Sequence, residues 1–420
     1  MRVFKFGGAS VKDADAIRNV AAILEEYKNE KLVVVISAMG KTTNGLEAVT
    51  NAYYDQTGEA APLFEVIKSE LLSTAEELFE VVPEALKEDL AGIFTKIEGR
   101  INKHHRVPFN FIYDQIVSAG ELLSTTLISH FLRSEDIANQ WVDIRDYIKT
   151  DNTYREGQVN WSLTTTKVQE GFLPILENQL IVTQGFLGGT VENFTTTLGR
   201  EGSDYTAAIL SNALNADSMT VWKDVPAILN ADPRVIKDTT PIPRLSYYEA
   251  IEMTYYGAKV IHPKTIKPLQ NKNIPLHVRS FIDTAEVGTT IHGDETRDIL
   301  PTIIVFDRDQ LLLSISSKDF SFMAEDNLAH IYQLFAKYRI KTNLSQNGAI
   351  SFKACIDYKP NRIKELLMDL LKDYNLQTTA NVEIITLRHY TSAAVKLYTK
   401  GRDILMTQKG RDTVQMVVKA

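Results

Sequence analysis

Glycine-led helix starts occur twice in this chain, each beside a short apolar strand, and that repetition narrows the folds open to it. The first follows Val3-Phe4-Lys5-Phe6, an apolar strand with one lysine, then Gly7-Gly8-Ala9-Ser10 and a helical pattern at Ala16, Ile17, Val20, Ile23 and Leu24. The second is Leu198-Gly199-Arg200-Glu201-Gly202-Ser203-Asp204, which enters the apolar helical segment Tyr205 to Leu214. A strand, Met219 to Trp222, and the turn Lys223-Asp224-Val225-Pro226 come next. A glycine-flanked hydroxyl at a helix start gathers backbone N–H groups and the positive end of the helix dipole at one point. Arg200, Arg234 and Lys259 lie within reach of it by chain order, so the pattern suits a phosphorylated ligand beside a second anion.

Neither start is a known nucleotide fingerprint. G-x-x-x-x-G-K-[ST] does not occur, and the lysine precedes its glycines; G-x-G-x-x-G is also absent from the N-terminal turn. Taken alone, the N-terminal piece is equally an ordinary strand-to-helix turn with a solvated lysine.

Elsewhere strands and helices alternate. Leu32 to Ile36 is wholly apolar, as a strand buried on both faces of a parallel sheet would be. Leu180 to Val182 and Leu276 to Val278 add strands, each preceded by helical periodicity. This predicts an α/β domain with a parallel-rich sheet between helices and ligands at the carboxyl ends of the strands. Phe64 to Phe79 and Leu86 to Ile101 keep helical spacing, so 58–105 reads as a helical insertion placed to cover the site as a lid. His104-His105 within it has no further ligand at metal spacing.

In order, Lys5-Phe-Gly-Gly-Ala-Ser10, Ser37-Ala-Met-Gly-Lys-Thr-Thr-Asn44, Ser118-Ala-Gly-Glu-Leu122 and Gly199-Arg-Glu-Gly-Ser-Asp204 carry a resemblance. Trp222-Lys-Asp-Val-Pro226, Asp232-Pro-Arg-Val235 and Tyr256-Gly-Ala-Lys-Val-Ile-His-Pro263 continue it. The series is similar to that of aspartate kinases, of the amino acid kinase fold, across residues 1–294. The resemblance implies transfer of the ATP γ-phosphoryl group to the side-chain carboxylate of L-aspartate. Lys5 is expected to be the transition-state cation, with Gly7 and Gly8 amides on phosphate oxygens and Asp204 orienting Lys5 or meeting the amine. By the same resemblance Arg200 grips the substrate α-carboxylate and Glu121 receives the α-amino group, while Ser37, Thr43 and Ser203 supply hydroxyls. Lys223 and Asp224 fall on the nucleotide loop, Arg234 and Lys259 on phosphates, and Mg2+ on phosphates and water. Three positions depart from the family: Ala9 and Lys223 where threonine is usual, and Glu201 where glycine is usual. Leu229 replaces an aromatic that often lies against adenine. A kinase of another acid, or a catalytically dead amino-acid sensor, remains as an alternative.

From about residue 300 the pattern becomes strand, helix, strand, strand, helix, strand, the ferredoxin-like order. It resembles the ACT regulatory domain, here 300–390. In 391–420 a truncated second copy is expected, built of short strands at Ala393 to Leu397, Ile404 to Met406 and Val414 to Val418 with its helices lost. On that reading two chains pair through 300–420 into a homodimer, and feedback by lysine or threonine is weak or absent. The chain has 46 basic and 53 acidic residues, a net charge of −7, which gives no hint of nucleic-acid binding. A single cysteine, Cys355, and no apolar run near 18 residues suit a cytoplasmic enzyme.

Overall fold

Lys5 belongs to a strand whose two neighbours in the sheet end level with it, and that alignment organises the catalytic half of the molecule. The computed structural model describes every residue except 104–106, 259–260, 295–299 and 420. Lys259 and His104-His105 therefore lie outside the described residues. The chain divides into two compact units. One comprises Met1–Ile228, Pro243–Ile251 and Ile261–Thr296, the other Leu229–Ile242, Glu252–Val260 and Arg297–Ala420.

In the first unit the elements run β1 (Arg2–Phe6), α1 (Ala14–Glu25), β2 (Leu32–Ile36), α2 (Thr42–Tyr54), α3 (Ala60–Leu78), α4 (Glu84–Ile101), α5 (Phe109–Val117) and α6 (Ala119–Ser134). β3 (Asn139–Val142), α7 (Trp161–Ile175), β4 (Leu180–Gln184), β5 (Leu187–Gly189), β6 (Thr195–Thr197), α8 (Gly202–Leu214) and β7 (Ser218–Lys223) follow. β8 (Arg244–Ser246), α9 (Tyr247–Tyr255, whose residues from Glu252 on are counted with the other unit), α10 (Pro263–Gln270), β9 (Leu276–Ser280) and β10 (Thr289–His292) complete the series. Among the described residues eight strands form one sheet in the order β3-β4-β2-β1-β7-β9-β10-β8. All neighbours are parallel except β9 and β10. β2 and β4 are buried at every position, as strands covered on both faces must be. Phe6 lies opposite Ile36 on one side and Trp222 on the other, and Ile36 lies opposite Gln184. The residues that leave the carboxyl ends of β1, β2, β4 and β7 thus start from one edge.

The helical insertion packs into the core rather than standing free of it. Phe64, Ile67, Leu71 and Ala75 of α3 and Leu86, Leu90, Phe94 and Ile97 of α4 are buried in the same core as the sheet's Phe6, Leu32 and Ile36. Removing a large apolar side chain from such a core costs about 1.5–3 kcal/mol. Swinging α3 outward would expose several at once, so the pair is a fixed wall.

The second unit holds β11 (Ile303–Ser317), α11 (Glu325–Lys337), β12 (Thr342–Asn347), β13 (Ser351–Asp357), α12 (Pro360–Asp373), β14 (Tyr374–Arg388), α13 (Ser392–Thr399), β15 (Ile404–Lys409) and β16 (Thr413–Lys419). Its antiparallel sheet runs β12-β13-β11-β14-β16-β15 among the described residues. β11 and β14 are 15 residues each and serve two modules. Gln310–Ser316 of β11 pair with β13, whereas Ile303–Asp307, before a bulge, pair with the end of β14, which in turn pairs with β16. Ala393 to Leu397 is not a strand but the centre of α13, whose start is capped by Thr391 Oγ1 accepting the Ala394 N–H at 3.1 Å. Its Ala394, Val395 and Tyr398 pack on Ile385, Leu387 and Val414. The second module therefore keeps a helix, and the ground for expecting weak feedback, that it had none, falls away.

Candidate active site

At the shared edge of β1, β2 and β7 the structure brings Lys5, Asp204 and Glu121 together. Lys5 Nζ lies 2.7 Å from Asp204 Oδ1, and both side chains are largely buried. Gly7 makes room for the ammonium, since a Cβ there would lie 3.3 Å from Lys5 Nζ. Gly8 is more tightly constrained: a Cβ would meet the carbonyl oxygen of Ala38 at 2.8 Å and that of Gly40 at 3.1 Å. The Gly40 N–H donates to the Gly8 carbonyl at 3.0 Å, and Ser10 Oγ donates to the Gly7 carbonyl at 2.6 Å. The turns after β1 and β2 are thus locked together.

Asp204 and Ser203 sit in the first turn of α8, where no side chain caps the helix start. Burial alone would raise the Asp204 carboxyl, yet the Lys5 and Lys223 charges hold it below the ordinary value. It is an ionised carboxylate between cations. Lys223, the last residue of β7, supplies this second charge, and Asp224 beyond it is exposed. Gly185 follows β4 directly, and a glycine immediately after a buried strand is the signal in the sequence that marks it. A Cβ there would lie 2.4 Å from Ser203 Cβ, so only glycine lets that turn approach α8 so closely. The Phe186 N–H then donates to Thr206 Oγ1 at 2.9 Å.

Glu121 is buried in the first turn of α6. Its Oε1 accepts the Ala38 N–H at 3.4 Å, while Oε2 has no hydrogen-bond partner. Burial pushes its pKa up to about 8, against the opposing pull of backbone amides and of the nearby Lys5 charge. Three residues on, Ser124 Oγ donates to the Ser37 carbonyl at 2.8 Å. One helix thereby holds the 37–38 turn and presents a carboxylate with an oxygen to spare. Ser37 and Thr43 are half-buried on either side of that turn's end, Thr43 in the first turn of α2. Beside it, α3 walls a cavity of about 580 Å3 with Lys12, Met39–Thr42, Gly120 and Ser124.

Arg200 is exposed just before α8. Between it and the helix stands Glu201, whose φ of 53° puts a non-glycine residue in the left-handed region. This explains the glycine usual there and costs about 1–2 kcal/mol of backbone strain. The Glu201 side chain turns away from α8, and its Oε2 accepts the His262 N–H at 3.0 Å. Arg234 belongs to the second unit, where its guanidinium forks onto Asp232, with Nε–Oδ1 at 2.9 Å and Nη2–Oδ2 at 2.6 Å.

The model of the amino acid kinase family matches residues 1–280. Over 355 residues the chain is 32% identical to lysine-sensitive aspartokinase 3 of Escherichia coli (strain K12), covering 84% of this chain and 78% of that one. It is 29% identical over 457 residues to the chloroplastic aspartokinase 1 of Arabidopsis thaliana, covering 99% of this chain and 76% of the relative. Its fold is similar to that of E. coli aspartokinase III in complex with lysine and aspartate in the T-state. The TM-score is 0.85 at 29% identity, with 100% of this chain and 96% of that chain covered. For the same enzyme with aspartate and ADP in the R-state the TM-score is 0.83 at 28% identity, with the same coverage.

Proposed function

Because this chain belongs to the amino acid kinase family, among its aspartokinases, we propose that it transfers the ATP γ-phosphoryl group to the β-carboxylate of L-aspartate, giving 4-phospho-L-aspartate. The observation that carries the proposal is the Lys5–Asp204 pair beside a buried Glu121 with one unpartnered oxygen. A substrate carboxylate with a pKa near 4 is ionised at neutral pH, so no general base is needed. The chemistry reduces to aligning two anions and neutralising the charge that spreads over the transferring group.

Lys5 does this neutralising, pre-set by Asp204 and given room by Gly7. The amides of Gly7 and Gly8 and the uncapped start of α8 take phosphate oxygens. Glu121 Oε2 accepts the substrate ammonium, which favours the ionised form of a carboxyl that burial otherwise keeps protonated. Arg200 forks onto the α-carboxylate, and Ser37, Thr43 and Ser203 donate hydroxyls. Lys223, Asp224, Arg234 and Lys259 serve the nucleotide. Asp204 and Glu121 are each engaged inside the fold, so the donor set suits Mg2+ held mainly by phosphates and water.

We further assign catalysis to residues 1–294 and an ACT module to 300–390, with a second, incomplete copy after it that includes α13. β12 and β15 are the edges of that sheet, and an edge strand is a ready template for a second chain. On that ground the enzyme is a homodimer through this region. The lone, buried Cys355 suits a cytoplasmic home, and among the described residues no helix is long and apolar enough to cross a membrane. The test is ADP release from MgATP with a panel of acceptors. L-Aspartate alone should support it; release with glutamate or UMP but not aspartate would assign the chain to another kinase of this fold.

A further inference from the structure

The residue at the start of α8 is placed to cap that helix and does not. Glu201 occupies the N-cap position, yet its side chain accepts no amide of α8. It reaches instead to the start of α10, where Oε2 accepts the His262 N–H at 3.0 Å. His262 is itself the N-cap of α10, its Nδ1 accepting the Lys264 N–H at 3.1 Å. The two helices pack along one another, and Asn212 Nδ2 of α8 donates to the Pro268 carbonyl of α10 at 2.8 Å. The carboxylate therefore sits against the positive end of α10, where it is favoured, and leaves the start of α8 without a side-chain cap.

The backbone at this position is under strain that the tether helps to hold. A φ of 53° at glutamate is sustained only where the surroundings over-determine it. On one side of Glu201, the Gly202 N–H donates to the Gly199 carbonyl at 3.0 Å, closing a turn around Arg200. On the other, a Cβ on Gly202 would lie 2.5 Å from Phe186 Cδ2, so this end of α8 has no room to shift. The turn that carries Arg200 is thus fixed at Gly202 by packing and at Glu201 by the hydrogen bond to His262.

We propose that Glu201 is a positioning residue: its hydrogen bond to the His262 amide sets the turn that aims Arg200 and keeps the Glu201 carboxylate itself off the first amides of α8. The inference rests on the proposed aspartate kinase reaction. It predicts a dependence on the acceptor oxygen at residue 201 rather than on backbone shape or charge. Glu201→Gln keeps an oxygen able to accept the His262 N–H; Glu201→Ala removes it; Glu201→Gly removes it while relieving the left-handed strain.

The test is the steady-state KM for aspartate and kcat of the full chain at saturating MgATP, with melting temperatures measured alongside. Glu201→Ala and Glu201→Gly should raise the aspartate KM about five- to tenfold, the scale of one ordinary hydrogen bond, with kcat within about twofold. Glu201→Gln should stay within about twofold of the parent in both. Glu201→Gly should melt no lower than Glu201→Ala, which separates the tether from the strain. An unchanged KM in Glu201→Gly, with only the melting temperature altered in Glu201→Ala, would overturn the proposal and leave a purely structural residue. A Glu201→Gln variant as impaired as Glu201→Ala would overturn it too. Should the parent protein phosphorylate no aspartate at all, the reaction fails rather than the role of Glu201.

Discussion

The two units treat buried polar groups in opposite ways. In the parallel-sheet unit several are left open: Glu121 Oε2, Trp222 Nε1, Thr265 Oγ1 and Arg279 Nε have no hydrogen-bond partner, and Asp204 Oδ1 has only the Lys5 ammonium. Among the described residues no such atom falls in the antiparallel unit. There Glu383, buried in β14, pairs with Arg402 and lies 3.8 Å from Arg308. Arg388 donates to Glu252 at 2.7 Å and to Thr413 Oγ1 at 2.8 Å. An unsatisfied buried group costs about 1–3 kcal/mol. A unit that tolerates this at Glu121 and Asp204, beside Lys5, is built to receive a ligand, whereas one whose buried side-chain atoms among the described residues are all paired is built to hold its own shape. Charge in the first unit should therefore govern turnover, and charge in the second stability.

The largest effect expected from this contrast is at Lys5. Lys5→Ala should lower kcat by about a thousandfold or more, because its charge acts chiefly in the transition state, and move the aspartate KM little. A comparable loss in binding with turnover kept would make it a ground-state anchor. Glu383→Ala should cost about 2 kcal/mol in a denaturant titration, below the roughly 3–5 kcal/mol of a fully buried pair because Arg402 can rehydrate. Its kcat and KM should match the parent; a large fall in kcat would break the division of labour between the units. Arg200→Lys keeps the charge but loses the planar fork. The aspartate KM should rise about tenfold, equal to about 1.4 kcal/mol, and an unchanged KM would remove Arg200 from the substrate site.

A further contrast is a pH dependence. Glu121 titrates near 8 in the folded chain, above its ordinary value of about 4.5. Between these values the unfolded state has lost the proton and the folded state keeps it, so the folded state binds more protons and stability falls as pH rises. Above about pH 8 both states are ionised and this contribution levels off. Glu121→Gln should flatten the slope of unfolding free energy between pH 5 and 8 in ligand-free protein. An identical slope in both proteins would show that Glu121 is ionised throughout.

Much of the site was legible because strand, glycine turn and helix start at one sheet edge is a local pattern repeated along the chain. Lys5 lies near the end of a strand, Gly7 and Gly8 follow it, Glu121, Ser203 and Asp204 open helices, and parallel register does the rest. What depends on packing between distant segments was not legible. Gly185 matters only because Ser203 approaches it, and Glu201 adopts a left-handed backbone with its partner 61 residues away. The packing of 58–105 into the core was not legible either, because helical spacing reports an apolar face without saying what covers it. Ala393 to Leu397 was misread for a different reason: a run so short fits either period, and the decisive signal was the Thr391 cap.

The most direct test of the central claim is to incubate the intact protein with MgATP, L-aspartate and hydroxylamine and to measure aspartyl hydroxamate, with Lys5→Ala alongside. The account predicts steady hydroxamate formation by the parent, dependent on both ATP and aspartate, and almost none from a folded Lys5→Ala variant. A folded parent that forms no hydroxamate, or a Lys5→Ala variant that forms it at the parent's rate, would contradict it.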